Sequence, residues 1–323
     1  MSYAIQVDRA GGPEVMEWRA VEVDAPGPGE LLIGNRAIGF NFIDTYFRTG
    51  VYPLEYPSGL GSEGAGEVLA VGEGVEGFAP GDRVAYCTPP IGSYSEERIY
   101  PADRTVPLPD SVSYEQAAAM MLKGLTSWYL LHHSYPVRQG DDVLLYAAAG
   151  GVGQIAAQWA ALLGARVIGI VGSSGKVDEA RRAGCADVVL ADDPDLVAKV
   201  RELSGGGVAA VYDSLGKDTF MQSLDCLRPL GTMVTFGNAT GLVEPIAPID
   251  LARRGSLKLT RPILFDFVST EEQLRGAAAT LFEQVGSGAL SIKIGQRYPL
   301  QDVAQAHRDA EGRRTTGSTI LLP

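Results

Sequence analysis

Apolar runs alternate with amphipathic stretches through the middle of this chain, and this alternation constrains the fold more than any other feature. Because successive positions in these runs are apolar, and not only alternate positions, the runs predict strands that are buried on both faces. Such strands, each followed by a helix, form a parallel sheet that helices cover, so we predict a doubly wound α/β domain. The predicted strands are residues 143–147, 167–171, 187–190, 209–213 and 232–236, and the predicted helices are residues 152–163, 176–183, 195–203 and 217–227.

The sequence on either side of this region has a different character. Up to about residue 122 it is dense in glycine and proline, with short apolar or alternating runs, which predicts an irregular β-rich unit. Ser113 is predicted to cap a helix that begins at Tyr114. Another helix is predicted at residues 270–287, before a strand-like C-terminal segment. We expect this tail to return to the first domain.

The net charge limits the kinds of molecule that the chain is expected to bind. Lys and Arg number 27 against 39 Asp and Glu, a formal net charge of −12, and no basic run is present. Because such a chain repels phosphate backbones, no nucleic-acid partner is expected. The first residues lack a basic start followed by an apolar segment, and glycines interrupt the uncharged run at residues 143–165. We therefore expect neither a secretory signal nor a membrane-spanning helix.

The cysteines and histidines are too scattered to form a metal site. Cys87, Cys185 and Cys226 lie far apart without Cys-x-x-Cys spacing, which argues against a disulfide framework and a cysteine-based zinc site. The three histidines lie apart from these cysteines in helix-like segments, whereas zinc needs several converging ligands. The expectation is a chain without metal in a reducing cytoplasm.

A glycine-rich turn joins the first strand of the alternating region to its first helix. Its residues include Ala148, Gly150, Gly151, Val152 and Gly153. Gly150 can let the backbone approach a pyrophosphate, Gly153 can let the helix pack closely on the strand, and the helix N-terminus supplies free N–H groups. Ala148 stands where the G-x-G-x-x-G fingerprint has its first glycine, so a simple packing turn remains the alternative. The context nevertheless predicts a dinucleotide site.

A second turn, after the next strand, bears on the choice of coenzyme. NAD-binding proteins usually carry Asp or Glu there, which accepts hydrogen bonds from the ribose 2′-hydroxyl. This chain instead carries Gly172, Ser173, Ser174, Gly175 and Lys176. A carboxylate would repel a 2′-phosphate, whereas hydroxyls and an ammonium attract it, so the turn favours NADPH. The alternative is an ordinary solvated lysine, although a cation at a helix N-terminus opposes the helix dipole.

A series of longer motifs extends the argument over nearly all 323 residues. The motifs are GGPEV (11–15), NFIDTYFRTGVYP (41–53), GSEGAGEV (61–68), GDRV (81–84), LKGLTSWYLL (122–131), AAGGVGQIAAQWA (148–160), YDSLGKDT (212–219) and TFGN (235–238). Together they resemble the zinc-independent NADPH:quinone oxidoreductases of the medium-chain dehydrogenase/reductase superfamily, the group that includes zeta-crystallin.

The resemblance implies a two-domain architecture. Residues 1–122 and 262–323 would form a discontinuous GroES-like β-rich catalytic domain, and residues 123–261 a Rossmann domain that binds NADPH. Homodimers formed by sheet edges are common among such proteins, so a homodimer is expected.

The resemblance also implies which residues contact the coenzyme. They are Asn41, Lys123, Thr126, Tyr129, Gly172, Ser173, Lys176, Phe236, Asn238, Leu264 and Arg313. Lys176 and Arg313 would lie near the 2′-phosphate. Relatives often carry a tyrosine beside the adenine where this chain has Ala191, so we expect weaker adenine stacking or a looser preference for NADPH.

Residues 61–63 limit the kind of reaction that the chain can catalyse. Zinc-bearing cousins carry Gly-His-Glu where this chain has Gly61, Ser62 and Glu63, and a serine cannot replace that imidazole. Without a Lewis acid the acceptor must already be electrophilic, as a quinone or an activated enone is. Glu63 is predicted to be a buried structural acid paired with Arg83, and Asp44 is also predicted to be structural.

The candidate catalytic residues are Asn41, Tyr46 and Tyr52. An amide and two phenols can hydrogen-bond a developing oxyanion, and a phenol can pass a proton. Alternatively, Tyr46 only packs its ring and Tyr52 only forms a turn before Pro53. We predict NADPH-dependent reduction of quinones by hydride or one-electron transfer. Two alternatives stay open: an enone or enoyl reductase using the same cleft, and an NADPH-regulated binding protein without turnover.

Overall fold

The computed structural model describes residues 1–323, and the chain divides into two compact units. The first unit consists of Met1–Leu125 and Val268–Pro323, and the second is Thr126–Phe267. The strands are β1 (Ser2–Val7), β2 (Glu17–Val21), β3 (Glu30–Phe40), β4 (Ser58–Gly59), β5 (Glu63–Val71), β6 (Arg83–Tyr86), β7 (Glu97–Pro101), β8 (Val106–Pro107), β9 (Asp142–Leu145), β10 (Arg166–Val171), β11 (Asp187–Leu190), β12 (Val208–Asp213), β13 (Leu227–Thr235), β14 (Lys258–Thr260), β15 (Ile294–Pro299) and β16 (Ser318–Leu322). The α-helices are α1 (Phe42–Thr49), α2 (Tyr114–Tyr129), α3 (Gly151–Leu162), α4 (Val177–Arg182), α5 (Leu196–Leu203), α6 (Phe220–Asp225), α7 (Pro248–Arg253), α8 (Leu264–Phe267), α9 (Glu271–Gly286) and α10 (Val303–Glu311).

The second unit is built on a six-stranded parallel sheet. Its strand order is β11-β10-β9-β12-β13-β14, so the chain moves outward from β9 to one edge and then returns to continue from β12 to the other. This is the order of a Rossmann fold, and it confirms the predicted doubly wound α/β class. The point where the order reverses lies between β9 and β12, and ligands of such sheets bind beyond the carboxyl ends of the strands.

Apolar side chains from strands and helices form the core of the second unit. Leu144, Ile168 and Val211 of the sheet pack in one buried cluster with Leu196 and Phe220 of the helices. Each large apolar side chain that is removed from water contributes about 1.5–3 kcal/mol before conformational entropy is subtracted. The continuous apolar runs of the sequence are thus explained by burial on both faces of the sheet.

One predicted helix in this unit is too long. The sequence predicts residues 217–227, but α6 is shorter at both ends. The carboxylate of Asp213 accepts hydrogen bonds from the backbone N–H of Leu215 (2.7 Å) and Gly216 (3.2 Å) and from the hydroxyl of Thr219 (2.7 Å). Gly216 has a φ of 89°, a left-handed conformation that suits glycine. The chain therefore forms a side-chain-stabilised turn where the pattern predicts the first turn of the helix.

The first unit contains a seven-stranded mixed sheet and a small three-stranded sheet. The larger sheet has the order β15-β16-β3-β5-β6-β8, with β7 also paired to β3. Strand β16 comes from the C-terminal tail and pairs antiparallel with β3, with Ile320 opposite Gly39. The smaller sheet has the order β2-β1-β4. The β-rich character that the glycine- and proline-dense sequence predicts is confirmed.

The helix ends follow local capping chemistry. Ser113 caps α2 as predicted, since its hydroxyl accepts from the N–H of Gln116 (3.2 Å) and the Gln116 side chain accepts from the N–H of Ser113 (3.0 Å). Beyond α2, residues Leu130–Ser134 form a π-helical turn. None of the helices has both the length and the apolarity that crossing a lipid bilayer requires.

Candidate functional site

The glycine turn of the second unit connects β9 to α3. Ala147 has a φ of 50°, and the N–H of Gly150 donates to its carbonyl oxygen (2.8 Å). Gly150 is the N-cap of α3, and the helix starts at Gly151. A Cβ on Gly153 would lie 2.2 Å from the carbonyl oxygen of Ala147, so only glycine allows this helix to approach the turn so closely. The first-turn N–H groups of α3, which include that of Val152, have no acceptor within the helix and can bind an anion.

The acid-free turn follows β10. Residues 172–175 are exposed and Lys176 is half-buried. A Cβ added to Gly172 or Gly175 would meet nothing within 4 Å, so the space around this turn is open. The residues Ser174–Lys176 form one turn of 3₁₀-helix before α4, and the N–H of Lys176 donates to the carbonyl of Ser173 (3.1 Å). The turn thus offers two hydroxyls and one ammonium without a carboxylate between residues 172 and 176.

These two turns lie at the same edge of the sheet. Strands β9 and β10 are parallel neighbours, with Leu144 opposite Ile168, so their carboxyl ends meet at one edge. Strands β12 and β13 run parallel to them and end at the same edge. Phe236 follows β13 directly, and Asn238 lies in the loop just beyond it. The sheet topology therefore brings together the predicted coenzyme residues that follow β9, β10 and β13.

The other predicted coenzyme residues of the second unit belong to helices or to packed loops. Tyr129 lies in α2 and stacks its ring on Phe267, with centroids 4.8 Å apart. Thr126 lies one turn earlier in α2, and Leu264 is buried at the start of α8. In the orientation that satisfies both ends of its amide, Asn238 donates to the carbonyl of Gly237 (3.0 Å) and accepts from Arg261 (3.1 Å).

In the first unit, Asn41 and Lys123 converge on one buried carboxylate. Glu63 has no exposed surface, and its Oε1 accepts from the amide of Asn41 (2.8 Å) and from the ammonium of Lys123 (2.6 Å). Its Oε2 accepts from the backbone N–H of Leu122 (2.7 Å). The prediction that Glu63 is a buried acid is confirmed.

The prediction that Arg83 pairs with Glu63 is wrong. In the antiparallel pair of β5 and β6, Arg83 lies opposite Glu67, whereas Gly64, next to Glu63, lies opposite Tyr86. Arg83 is therefore at the other end of the strand pair, where it donates to the carbonyls of residues 109 and 112. The register of the two strands, which the sequence does not reveal, decides the pairing.

Asp44 occupies a structural position in the first turn of α1. It is fully buried, and it accepts hydrogen bonds from the hydroxyls of Ser62 (2.6 Å) and Tyr94 (2.8 Å) and from the N–H of Asn41 (2.9 Å). Burial raises the pKa of Asp44 to about 6, although these hydrogen bonds and the charge of Lys123 oppose that shift. Asp44 thus holds the backbone of Asn41, while Glu63 holds its side chain.

The two candidate tyrosines pack against each other. The rings of Tyr46 and Tyr52 meet edge to face with centroids 5.3 Å apart, and Phe42 and Phe47 add further edge contacts. Tyr46 is buried and Tyr52 is half-buried. Arg313, the remaining predicted site residue, is exposed in the turn after α10 with a φ of 57°.

A buried network around His307 escaped the sequence reasoning. Its Nδ1 lies 2.9 Å from a guanidinium nitrogen of Arg48, and its Nε2 lies 3.3 Å from the hydroxyl of Tyr94, which in turn donates to Asp44. Because Arg48 can only donate, Nδ1 accepts and Nε2 carries the proton. His307 is more than 200 positions from both Arg48 and Tyr94 in the chain, so no local pattern could have indicated this network.

Two sequence-family models match the chain. The model described as an alcohol dehydrogenase GroES-like domain matches residues 27–110, and the model described as a zinc-binding dehydrogenase matches residues 151–281.

The side chains present do not fit the zinc that the second description implies. The hydroxyl of Ser62 donates to Asp44, and burial together with the charge of Glu63 raises the pKa of the Cys87 thiol well above its ordinary value, which disfavours a thiolate ligand. No group of three or more His, Cys, Asp or Glu side chains is arranged to hold a metal ion.

Similar proteins match along the whole chain. A quinone oxidoreductase of Pseudomonas aeruginosa is 49% identical, and a 2-haloacrylate reductase of a Burkholderia species is 44% identical; each alignment covers 100% of this chain, and 100% and 99% of the relatives. The structure of Escherichia coli quinone oxidoreductase in complex with NADPH superposes with a TM-score of 0.97 at 44% identity, over 99% of this chain and 100% of that one. With both family models and full-length identity of this degree, the chain belongs to the quinone oxidoreductase family of medium-chain dehydrogenases/reductases.

Proposed function

We propose that this protein is an NADPH-dependent quinone reductase. The observation that carries the proposal is the pair of turns at one edge of the parallel sheet: a glycine turn at the N-terminus of α3, and an acid-free turn that ends at Lys176. The names of the full-length relatives, and the NADPH complex of the Escherichia coli protein, support the same activity.

The coenzyme is proposed to bind mainly to residues 123–261, with residues 1–122 and 262–323 forming the catalytic domain. Gly150 and the N–H groups of Gly151, Val152 and Gly153 would receive the pyrophosphate, because a helix N-terminus attracts an anion. The 2′-phosphate would be bound by Ser173, Lys176 and Arg313. The further proposed contacts are Asn41, Lys123, Thr126, Tyr129, Gly172, Phe236, Asn238 and Leu264.

The proposed chemistry needs little from the protein beyond alignment and a proton. Bound NADPH supplies a hydride, or single electrons, to an acceptor that is already electrophilic. Asn41 is held at both its backbone and its side chain, so it can position the acceptor without reorganising. The phenol hydroxyl of Tyr46 or Tyr52 can donate a hydrogen bond to the oxyanion that forms and pass it a proton. The packed aromatic rings of this segment would also help to exclude water.

A panel of acceptors, run with NADPH and with NADH, tests the proposal. We expect turnover of naphthoquinones with NADPH at a higher kcat/KM than with NADH. Absence of turnover on every electrophilic acceptor would contradict the proposal and favour an NADPH-regulated binding protein.

Reduction of activated carbon–carbon double bonds is the second candidate function. It is favoured by the 2-haloacrylate reductase relative, which matches along the whole chain. The same panel separates the two functions if it contains haloacrylates, enones and enoyl thioesters. A kcat/KM that is higher for these compounds than for quinones would make the second candidate the better one.

Lys176 provides a specific test of the coenzyme assignment. Lys176→Ala is expected to raise the KM for NADPH about tenfold, the effect of losing one contact of about 1.4 kcal/mol, and to leave the KM for NADH nearly unchanged. Lys199→Ala is the matched control, because Lys199 lies in a different helix, α5, and already pairs with Asp193 in the loop before that helix. Equal changes for the two coenzymes would contradict the phosphate role.

A homodimer is also proposed, formed through the free edge of the parallel sheet. Strand β14 is the last strand of that sheet and pairs on one side only, with β13. The edge carries apolar side chains: Leu259 is 40% exposed and Leu230, nearby in β13, is 68% exposed. An open edge with exposed apolar groups is a template for pairing with a second copy. Sedimentation equilibrium tests this, and a monomer at micromolar concentration would contradict it.

A cytoplasmic location is proposed as well. Cys87, Cys185 and Cys226 are all free and buried, as in proteins of reducing compartments. Fractionation of cells that produce the protein would test the location, and recovery outside the cytoplasm would refute it.

A further inference from the structure

Glu63 connects three elements of the first unit through one carboxylate. It is the first residue of β5, and it accepts from the N-cap residue of α1, Asn41, and from two consecutive residues of α2, Leu122 and Lys123. The carboxylate is completely buried and the Lys123 side chain is 7% exposed. Because each donor is held by a partner that can only accept, all three contacts are strong and directional.

The space for this carboxylate depends on a glycine in the neighbouring strand. A Cβ on Gly39, opposite Glu63 in the β3–β5 pair, would lie 2.3 Å from Oε1 of Glu63 and 2.1 Å from the carbonyl oxygen of Ala118. Any side chain at position 39 would therefore displace both the carboxylate and α2. The local packing is built around the carboxylate.

The carboxylate determines what its partners present to the rest of the molecule. Since it accepts from the Asn41 amide nitrogen, it fixes which end of that amide points toward β5 and which end points away. It also supplies the closest counter-charge to the Lys123 ammonium, which is otherwise near the fully buried Asp44 and the thiol of Cys87. A buried ammonium without such a partner is costly, so the ion pair with Glu63 holds the side chain of Lys123 in place.

We propose that Glu63 is a positioning residue of this enzyme, whose carboxylate holds Asn41 and Lys123 in one geometry so that they meet NADPH as a preassembled pair. The inference rests on the proposed function, in which both residues are coenzyme contacts. Preassembly matters because a donor or acceptor that must first be ordered loses part of its binding energy to that ordering. Glu63 itself touches neither coenzyme nor acceptor in this scheme.

The test uses three variants of the full-length protein. Glu63→Gln removes the charge and leaves at least one of the three donors facing an amide nitrogen. Glu63→Asp keeps the charge but withdraws it by one methylene. Glu67→Gln is the matched control, because Glu67 lies in the same strand and also pairs with a cation, Arg36, but at the surface.

Glu63→Gln is expected to raise the KM for NADPH about tenfold or more. The KM for the quinone should rise by a smaller factor, because Asn41 alone is proposed to position the acceptor whereas Asn41 and Lys123 are both proposed to contact the coenzyme. The KM of Glu63→Asp for NADPH should lie between those of Glu63→Gln and the wild type. The KM of Glu67→Gln for NADPH should equal that of the wild type. A role in stability alone predicts a lower midpoint of thermal unfolding with an unchanged KM for NADPH in the fraction that stays folded. That result, or equal increases in both KM values, would overturn the inference.

The variants still test the inference if Glu63→Gln does not fold. Glu63→Asp then carries the test, because it retains the buried charge pair: an increase of severalfold in the KM for NADPH supports the inference and an unchanged value overturns it. Failure of the proposed function is a different result, since it would appear as a wild-type protein that neither binds NADPH nor reduces quinones.

Discussion

Gly153 sits where the backbone leaves no room for a side chain, so its replacement should have a measurable cost. A Cβ at this position would lie 2.2 Å from the carbonyl oxygen of Ala147 and 2.8 Å from the Cα of Ala148, whereas ordinary contacts begin at 3.4 Å. Both neighbours are backbone atoms of the glycine turn and cannot rotate away. Gly153→Ala therefore requires the start of α3 to move by roughly 1 Å, judged by the packing distances that interiors tolerate.

The expected cost follows from two opposing effects. Overpacking of this kind costs about 1–3 kcal/mol, and the clash with backbone on two sides favours the upper end. Replacing glycine by alanine inside a helix stabilises the helix by about 1 kcal/mol. We therefore expect Gly153→Ala to lower the free energy of unfolding by ~2 kcal/mol. The same displacement moves the first-turn N–H groups of α3, so the affinity for NADPH should fall as well.

Gly276 is the matched control. It lies inside α9, is exposed, and has nothing within 4 Å of the position that its Cβ would occupy. Gly276→Ala should therefore raise the free energy of unfolding by about 0.5–1 kcal/mol, the propensity effect without a clash.

Urea unfolding followed by circular dichroism measures both changes, and calorimetric titration with NADPH measures the affinity. A Gly153→Ala protein that is as stable as the wild type, or stabilised like Gly276→Ala, would refute the steric argument.

Two further changes test other parts of the structure. Burial, with a smaller contribution from the charge of Arg48, lowers the pKa of His307 to about 3, so the folded state resists protonation that the unfolded state accepts below about 6.5. The contribution of neutral His307 to the free energy of unfolding is fully present above pH 6.5. It is lost as the pH falls toward 3, by about 1.4 kcal/mol per pH unit. Between pH 6.5 and pH 5, His307→Gln should therefore lose about 2 kcal/mol less stability than the wild type in urea titrations, and equal losses would show that His307 does not contribute. Thr270 caps α9 by accepting from the N–H of Gln273 (3.3 Å), so Thr270→Ala should cost about 1 kcal/mol in the same assay, while the mid-helix change Thr280→Ala should cost much less.

The features that were predictable from the sequence depend on local physics. Continuous apolar runs between amphipathic segments indicate strands buried on both faces, and the parallel sheet of the second unit follows from them. Glycine at position 153 and the absence of an acid at residues 172–176 are visible in the sequence because each belongs to one short segment, and at position 153 the local requirement is close packing of α3 on the glycine turn.

The same reasoning fails where a side chain meets a partner that is distant in the chain. It predicts Arg83 as the partner of Glu63, but the β5–β6 register puts Arg83 beside Glu67, and the cation that reaches Glu63 is Lys123, 60 positions away. It also overextends the helix after β12, because the carboxylate of Asp213 competes for the backbone N–H groups of that segment.

The sequence by itself determined the fold class, the glycine turn and the acid-free turn that ends at Lys176, since each depends on the composition or periodicity of one segment. Only the tertiary structure decided which groups surround Glu63 and how Asp44, Tyr94 and His307 are joined. Those hydrogen bonds are directional and form between elements whose register and approach are set by packing of the whole first unit. A linear pattern carries no information about such geometry until the chain has folded.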